Sequence, residues 1–390
     1  MQQLPFLIPT CISRYDLLST MATELADALR DAGHPVNPDS VEPPYTALWL
    51  NFLTDVNDIP PEAASPDARI ALIQFFVDHP LALWTQQLDS LARFPTFRLL
   101  LPCADSAHLL RLRWPTLRHI HCLHAIPPRA LCSPDSISAR HAARPPRADH
   151  PIDDVIILAS IHPQSELDDM RARIPFKLQK GADDAVRLLL QHPHMTFEQA
   201  ADLTLSTQGV LTGEWNILSS LWKYATAAVN RQRRVKLALA LDGLPVVIHG
   251  SEAWTDICSS SKSLEYRGNL PYAEIPGALA RSRVCLAYGP TQFTHSFSER
   301  LLLSLAGGCA TVADDRILAR AHFAREDQPE LLTLVDAADP QHARYAVEAI
   351  LKDPDRRASM ARAARDEVER AHLWSHRIPI FHAAIRDAIA

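Results

Sequence analysis

The sequence is poor in glycine and lacks the glycine-rich turn that binds dinucleotides. Only 11 of the 390 residues are glycine, and neither half of the chain contains Gly-x-Gly-x-x-Gly. That pattern lets a backbone turn approach a pyrophosphate at the N-terminus of a helix. Its absence gives no support to hydride transfer, and we expect no cofactor.

Cysteine is sparse and forms no recognisable pattern. The seven cysteines are scattered, odd in number and never spaced as Cys-x-x-Cys, which is typical of reduced thiols in the cytoplasm. The histidines at His192 and His194 lack cysteine or carboxylate neighbours at a convincing ligand spacing. The sequence therefore predicts no metal site.

An excess of basic charge and long apolar runs are also absent. The net charge of -6 argues against nucleic acid as a main partner. We interpret the short basic run Arg231 to Lys236 as a solvated helix face, with contact to acidic lipid headgroups as the alternative. Because no apolar run reaches the length of a membrane span, we expect a cytoplasmic protein without a transmembrane segment. Peripheral association with a membrane stays open.

The residues that are present have the balance of a globular protein. Hydrophobic residues make up 47% and charged residues 22%, and a chain of this length is typical of two domains. Ser133 to Pro151 is rich in Ser, Arg, His and Pro, which indicates a linker. The predicted parts are an N-terminal domain, 1–150, a C-terminal domain, 151–371, and a terminal helix, 372–390.

The first half alternates short apolar runs with helical patterns, which is typical of a parallel α/β sheet. Helices are predicted over Tyr15 to Ala32 and Ser106 to Arg113. The predicted strands are Leu4 to Cys11, Ala47 to Leu53, Ile70 to Val77, Phe97 to Pro102 and Ile120 to His124.

The second half restarts the same pattern, with a mostly helical insertion over Asp183 to Leu241. The tail, Pro340 to Ile389, is predicted to hold two or three helices. The predicted strands of this half are Asp154 to Ser160, Leu244 to His249, Ser263 to Tyr266, Val284 to Tyr288, Cys309 to Ala313 and Leu331 to Val335. The fold class predicted for the chain is therefore α/β, with two Rossmann-like domains and a helical tail.

One stretch, Val284 to Asp314, combines a strand, a polar loop, a helix and a second strand. In parallel sheets, ligands lie beyond the carboxyl ends of the strands, where helices present their N-termini. Ser296 or Ser298 can cap this helix, and Arg300 lies in its first turn. Free N–H groups, the helix dipole and a guanidinium would converge as in a phosphate site. The alternative is a buried helix with an ordinary cap.

The second half resembles bacterial glycosyltransferases of the spore-maturation CgeB-like type. The resemblance extends over Asp153 to Phe381, and the N-terminal half matches only loosely, at Phe76 to Pro80. The segments that carry it, in chain order, are Asp153 to Ser160 (DDVIILAS), Leu264 to Tyr272 (LEYRGNLPY), Tyr272 to Ala287, Arg300 to Gly308 and Ile350 to Arg377.

This resemblance implies a fold and an activity. The fold would be of the glycosyltransferase-B type, with two domains facing across a cleft and the terminal helix packing back toward the first domain. The enzyme would move a sugar from a nucleotide-diphosphate sugar to a glycan, a lipid-linked intermediate or a protein. Such enzymes generally use positive side chains and helix ends in place of a metal. No Asp-x-Asp site stands out here, and we interpret Asp314 and Asp315 as a cap after the strand.

The resemblance also suggests site residues. On the acceptor side, Asp78 and His79 end a strand and are candidates for the catalytic base, with a simple turn as the alternative. The candidates for donor and phosphate binding are Arg300, Glu299, Ser298, Ser296, His295, Ser160, His162, Gly250 and Gly268. For each of these an ordinary structural role is the alternative: a surface loop, a helix start, a turn or a strand end.

One position departs from the resembled pattern. The acidic residue expected to bind the ribose is replaced by Leu303, whereas Glu299 precedes Arg300. The order Ser-Glu-Arg resembles the Thr-Glu-Lys of fucosyltransferases. Either Glu299 has taken over donor contacts, or the ribose is held otherwise, or donor use is lost. The alternative functions are thus a non-catalytic binding or partner module and, with less support, a nucleotide-sugar epimerase.

Overall fold

A computed structural model describes residues 4–9, 16–50, 59, 61–65, 67, 69–82, 85–141, 153–205 and 215–389. The ends of two predicted strands, at 10–11 and 51–53, and residues 142–151 of the predicted linker lie outside this range. The chain divides into two compact units. The first unit comprises Met1–Pro127 and His372–Ala390, and the second comprises Pro128–Ala371.

The first unit is built on a parallel five-stranded sheet with the strand order β1-β2-β3-β4-β5. Its strands are short, and those at the centre are buried along their whole length, which explains their continuous apolar sequence. Its elements up to residue 127 are β1 (Phe6–Leu7), α1 (Leu17–Asp31), β2 (Thr46–Leu50), β3 (Ala71–Phe75), α2 (Thr85–Leu91), β4 (Phe97–Leu101), α3 (Ser106–Arg113) and β5 (Arg118–His121).

The second unit contains a parallel six-stranded sheet and most of the helices. Its strands are β6 (Asp153–Leu158), β7 (Val246–His249), β8 (Leu264–Tyr266), β9 (Ser282–Leu286), β10 (Ala310–Asp314) and β11 (Thr333–Val335). Its helices are α4 (Pro134–His141), α5 (Gln164–Ala172), α6 (Phe176–Gln191), α7 (Phe197–Leu205), α8 (Trp215–Ala240), α9 (Trp254–Ser259), α10 (Ile275–Leu279), α11 (Glu299–Ala306), α12 (Ile317–Phe323), α13 (Pro340–Lys352) and α14 (Pro354–Ala371).

The strand order of the second sheet is β11-β10-β9-β6-β7-β8. The order reverses between β6 and β9, so the crossovers leave a crevice at the carboxyl ends of these two central strands. β6 pairs with β9 through Val155 opposite Val284 and with β7 through Val155 opposite Val246. The helix α8 packs on one face of the sheet, where it contributes Leu237 and Ala238 to the core.

The last helix, α15 (Ile378–Ile389), belongs to the first unit and covers its sheet. Phe75 of β3 contacts two aromatic rings from the C-terminal segment in edge-to-face geometry. Its ring centroid lies 6.0 Å from that of Trp374 and 6.2 Å from that of Phe381. All three side chains are fully buried, so the end of the chain completes the core of the first unit.

An arginine pair fixes the end of α15 to the sheet edge. Arg98 and Arg118 lie directly opposite each other on β4 and β5, where two like charges would repel. Asp387 of α15 lies between them: its carboxylate accepts from Arg98 Nε and, at 3.0 Å, from Arg118 Nη1. These two hydrogen bonds from arginine hold the pKa of Asp387 below its ordinary value.

The structure confirms most of the predicted strands and helices. It differs where short helices lack a strong pattern: α2, α9 and α12 were not predicted, and α6 begins well before Asp184. Residues 134–141, predicted as linker, form α4, which packs on α14. The reason is His141, whose Nε2 donates to the Gly308 carbonyl at 3.0 Å and whose Nδ1 accepts from Arg357.

A helix that crosses a bilayer is long and largely apolar. None of the described helices combines the length and the apolar character needed to cross a membrane.

Replacing Asp387 by Asn should destabilise the first unit. Arg98 is only 4% exposed, and losing a charged hydrogen-bond partner at such a site costs about 2 kcal/mol. We expect a lower urea midpoint, with the difference from wild type shrinking as the pH falls below the carboxyl pKa of the unfolded chain. Asp31→Asn, an exposed change at the end of α1, is the control. Equal midpoints for the two variants would contradict this assignment.

Candidate anion-binding site

The N-terminus of α11 lies at the carboxyl edge of the second sheet. The chain leaves β9 at Leu286, forms a buried loop, and enters α11 at Glu299. Leu301, Leu302, Leu303 and Leu305 are buried, so core packing, together with the loop, fixes the direction of this helix. Its first turn therefore presents N–H groups where ligands bind in open parallel sheets.

This helix start has no side-chain cap. Ser298 occupies the N-cap position with extended backbone (φ −96°, ψ 172°), but its hydroxyl accepts no capping hydrogen bond. Ser296, the other predicted cap, is fully buried. An α-helix leaves its first N–H groups without intrahelical acceptors. Here the Ser298 side chain does not accept from them, and N–H groups at such a helix start can bind an anion.

Arg300 lies beside this helix start. It lines a small cavity of about 10 Å³ together with Tyr288, Ser298, Asp314 and Arg316, which is about the space of one water molecule. Its guanidinium makes no ion pair with any residue that the structure describes. The buried hydroxyl of Tyr288 likewise has no hydrogen-bond partner within the described ranges. The cavity wall thus offers donors and a positive charge.

A second arginine approaches the same site from α8. Arg234 is 8% exposed and donates through Nη1 to the Ser160 carbonyl at 2.5 Å, just beyond β6. Burial and the charge of Arg300 lower the pKa of Arg234 to about 9. No carboxylate of the described chain forms an ion pair with it. Arg234 is buried and Arg300 is half-buried, their charges interact, and neither forms an ion pair with a carboxylate of the described residues.

Arg234 is not among the site residues predicted from the sequence, because residues 231–236 have the pattern of a solvated helix face. The structure shows three arginines of this run bonded to backbone carbonyls: Arg231 to His162 (2.7 Å), Arg233 to Leu189 and Arg234 to Ser160. A signal was present in the sequence. Leu237 and Leu241 lie three and seven residues after Arg234, which places it on the apolar stripe of the helix.

A buried ion pair shapes the loop before α11. Asp314 and Arg316 are 5% and 4% exposed, and Arg316 Nε donates to Asp314 Oδ2 at 2.7 Å. The same guanidinium donates to the carbonyls of Gly289 (2.7 Å), Pro290 (3.0 Å) and Phe293. Asp314 Oδ1 also accepts from Gly289 N at 2.8 Å. Asp314, predicted as a cap after β10, thus forms with Arg316 an ion pair that holds the loop in place. We call this ion pair the clamp.

Gly289 is required by this clamp. A Cβ atom at that position would lie 2.7 Å from Arg316 Cζ. The guanidinium cannot move aside easily, because four hydrogen bonds hold it in place. The loop also depends on α8: Asn230 Oδ1 accepts from the backbone N and the hydroxyl of Thr291, at 2.9 and 2.7 Å.

His295, predicted as a phosphate donor, also contributes to holding the loop before α11. Its Nε2 lies 2.8 Å from the His194 carbonyl, to which it donates, and its own carbonyl accepts from Leu318 N of α12. Its position next to the helix start agrees with the predicted neighbourhood. The hydrogen bond, however, is made with the helical insertion.

Two of the predicted residues follow β6. Ser160 is half-buried, and its carbonyl accepts from Arg234. The His162 side chain is 41% exposed and contacts Glu166 of α5 at 2.9 Å, while its carbonyl accepts from Arg231. Ser160 therefore lies beside Arg234, whereas the His162 ring contacts the start of α5.

The two predicted glycines have different roles. A Cβ at Gly250 would lie 2.0 Å from the Ala159 carbonyl oxygen, so this glycine is needed where β6 and β7 end side by side. Gly268 has φ +81°, and a Cβ there would meet no atom within 4 Å. The backbone at Gly268 therefore faces open space and can be approached by a ligand.

The acidic position of the resembled pattern lies in the core. Leu303 is 2% exposed, so a side chain at this position of α11 is enclosed by the core and is not accessible to a ligand. Glu299, the first residue of α11, is 8% exposed. Of the two, only Glu299 lies at the helix start with Ser298 and Arg300.

Asp78 and His79 lie in the first unit, beyond the carboxyl end of β3. Asp78 Oδ1 accepts from His79 N at 2.8 Å, and His79 Nδ1 accepts from Leu81 N at 3.1 Å. Because Nδ1 is an acceptor, the neutral ring carries its proton on Nε2. His79 is therefore arranged as a donor, and Asp78 is the stronger candidate for a base.

A metal site in a protein is typically built from three or more ligating side chains placed close together. Among the described residues, no group of three or more His, Cys, Asp or Glu could hold a metal ion.

Comparison with protein families gives one match. Residues 231–383 match the model of a family described as glycosyl transferase-like. The match begins at the first arginine of the α8 run and includes Arg234, the clamp and α11. Among curated protein sequences, none matches this chain significantly.

Solved structures show the fold. A DNA-modifying β-glucosyltransferase, solved with and without uridine diphosphoglucose, superposes with a TM-score of 0.53 at 11% identity, covering 99% of both chains. The fold is of the glycosyltransferase-B type. Sucrose-phosphate synthase from Thermosynechococcus elongatus gives 0.49 at 10% identity over 99% of this chain and 100% of its own. TarM gives 0.45 at 6% identity, and this chain, 87% of it aligned, spans 54% of TarM.

Breaking the clamp should unfold the loop that positions α11. Asp314→Asn leaves the Arg316 charge buried without a carboxylate, which costs about 3 kcal/mol or more. We expect a lower unfolding midpoint in urea and faster proteolytic cleavage within 287–298. Asp315→Asn, which removes a surface partner of Arg320, is the matched control. If Asp314→Asn and Asp315→Asn have the same midpoint and cleavage rate, the clamp has no such role.

Proposed function

We propose that this protein is a glycosyltransferase that moves a sugar from a nucleotide-diphosphate sugar to a glycan, lipid-linked or protein acceptor. The second unit would bind the donor and the first unit the acceptor, in an enzyme of the CgeB-like type. The family match over 231–383 and the glycosyltransferase-B fold support glycosyl transfer as the general class. The donor, the acceptor and the roles of individual residues are the proposal.

The observation that carries the proposal is the pair Arg234 and Arg300 beside an uncapped helix N-terminus. The like charges of these two guanidinium groups raise each other's electrostatic free energy, and they do so more strongly in partly buried surroundings than in water. An anion placed between them would remove this cost, and the free N–H groups of α11 would add hydrogen bonds. A diphosphate, with more than one negative charge, matches two guanidinium groups better than a single carboxylate does.

This arrangement suits the chemistry of sugar transfer. When the bond between the sugar and the diphosphate breaks, negative charge develops on the leaving phosphate. Fixed positive groups that face this charge stabilise the transition state without rearrangement. Arg234, held by the Ser160 carbonyl, and Arg300, on the first turn of α11, would supply the charge that a metal supplies elsewhere. We therefore propose a metal-independent reaction.

Other contacts follow from the same placement. Glu299 would bind the donor ribose or sugar in place of the acid that Leu303 replaces. The open backbone at Gly268 would allow close approach of the nucleotide. Asp78, with His79 beside it, would accept the acceptor's proton if the reaction inverts configuration. The localisation that we propose remains the cytoplasm.

Removal of either arginine should weaken nucleotide binding. In calorimetric titrations with UDP, GDP, ADP, CMP and dTDP, we expect one nucleotide to bind. Arg300→Ala and Arg234→Gln should each weaken it by about 30-fold, about 2 kcal/mol, because each loses a charged hydrogen bond. Excess EDTA should leave the affinity unchanged.

Arg362→Ala, an exposed position on α14, is the control and should bind like wild type. Thermal unfolding of each variant shows whether Arg234→Gln keeps its fold, and Arg234→Lys tests the charge with less disturbance. Unaltered affinity in a folded Arg300→Ala protein would remove Arg300 from the site.

Asp78→Asn should separate chemistry from donor binding. A general base contributes about 10²- to 10⁴-fold to the rate, so transfer should fall by that factor while the affinity for the nucleotide stays the same. Asp89→Asn in the same unit is the control. A transfer rate equal to wild type would exclude Asp78 as the base.

The second candidate function is a glycosyltransferase-like module that binds a nucleotide or a partner without turnover. Leu303 favours it, because it stands where the resembled enzymes have a carboxylate. Nucleotide binding that depends on Arg300, with neither transfer nor donor hydrolysis, would support this module. An epimerase would reveal itself by product formation without an acceptor.

A further inference from the structure

We propose that the first unit attaches to an anionic lipid surface through a basic edge. We define the basic edge as the exposed arginines Arg93, Arg111, Arg113 and Arg118 together with the exposed Leu112. The partner would be the phosphate headgroups of a bilayer. This inference does not depend on the proposed transfer reaction.

The fold brings these residues to one end of the sheet. In a parallel sheet with helical crossovers, each helix runs back and ends where the next strand begins. Arg93 follows the end of α2, Arg111 and Arg113 end α3, and Arg118 begins β5. The end of α15 lies at the same place, because Asp387 contacts Arg98 and Arg118.

The local charge is positive although the whole chain carries a net charge of -6. Two aspartates lie among these arginines. Asp89 accepts from Trp114 Nε1 at 2.8 Å and lies 3.7 Å from Arg113, and Asp387 is shared by Arg98 and Arg118. With Arg98 included, five arginines of the described chain lie beside these two carboxylates. Residues 106–134 contain no Asp or Glu, so no acid from that stretch offsets them.

Leu112 decides in favour of a lipid surface over other polyanions. It is 58% exposed and stands between two exposed arginines on the last turn of α3. Beside the phosphates of a nucleic acid this side chain would stay in water. At a bilayer it can enter the boundary between headgroups and acyl chains, while the guanidinium groups bind phosphate in bidentate fashion.

The position of the edge leaves the candidate acceptor side uncovered. Asp78 and His79 follow the carboxyl end of β3, whereas the basic edge lies at the amino ends of β4 and β5, at the opposite end of the same sheet. A unit attached in this way would keep those two residues away from the surface to which it binds.

The test is co-sedimentation of the full chain with vesicles of phosphatidylcholine, with and without phosphatidylglycerol. We expect binding to the anionic vesicles only, weakened by salt. An arginine near such a surface contributes about fivefold to partitioning. The double variant Arg111→Gln/Arg113→Gln should therefore reduce binding by about 25-fold, and Leu112→Ser should reduce it by several-fold.

Matched variants in the second unit control for charge and hydrophobicity. Arg173→Gln/Arg362→Gln removes two exposed arginines, and Leu203→Ser changes a leucine that is 67% exposed. Both should bind like wild type, and circular dichroism should be the same for all variants. No binding to anionic vesicles, or equal loss in test and control variants, would overturn the proposal. Equal binding to an oligonucleotide, insensitive to Leu112→Ser, would replace the lipid by a general polyanion.

Discussion

The buried ion pair between Asp314 and Arg316 is the constraint on which the candidate site depends. Removing two charges from water is costly, and the cost is offset only when geometry and additional hydrogen bonds are good. Here Arg316 donates to three carbonyls of one loop as well as to Asp314. The pair therefore imposes a single path on the chain between β9 and α11. That path, together with the buried leucines of α11, decides where the helix begins.

The charges of the site divide into two kinds. Arg316 makes its ion pair and its hydrogen bonds within the protein, and its role is structural. Arg234 and Arg300 lack carboxylate partners among the described residues, and Arg234 has a lowered pKa because of burial and its neighbour. Burying a charge such as that of Arg234 without a carboxylate partner lowers the stability of the fold. Their retention is understandable when a bound anion compensates them, which connects the energetics of the fold to the proposed donor.

Much of the architecture follows from local pattern. The apolar runs at β3, β4, β6, β7, β9 and β10 were predicted because strands buried on both faces are continuously apolar. The strand-loop-helix-strand unit around α11 was predicted from two of these apolar runs. The position of Arg300 followed from the helix predicted between them. The short helices α2, α9 and α12 were not, because fewer than eight residues carry too little periodicity to distinguish a helix from a turn. Their form depends on tertiary packing.

The sequence by itself determined the α/β class, the start of α11 and the presence of Arg300 on it, because these depend on spacing within one segment. Only the tertiary structure decided which distant groups meet. Arg234 reaches the site because α8 crosses behind the ends of β6 and β9, some 66 residues before Arg300 in the chain. His295 and Gly250 are committed to contacts with remote backbone, and Leu303 faces the core. Such pairings join segments far apart in sequence, and no local pattern encodes them.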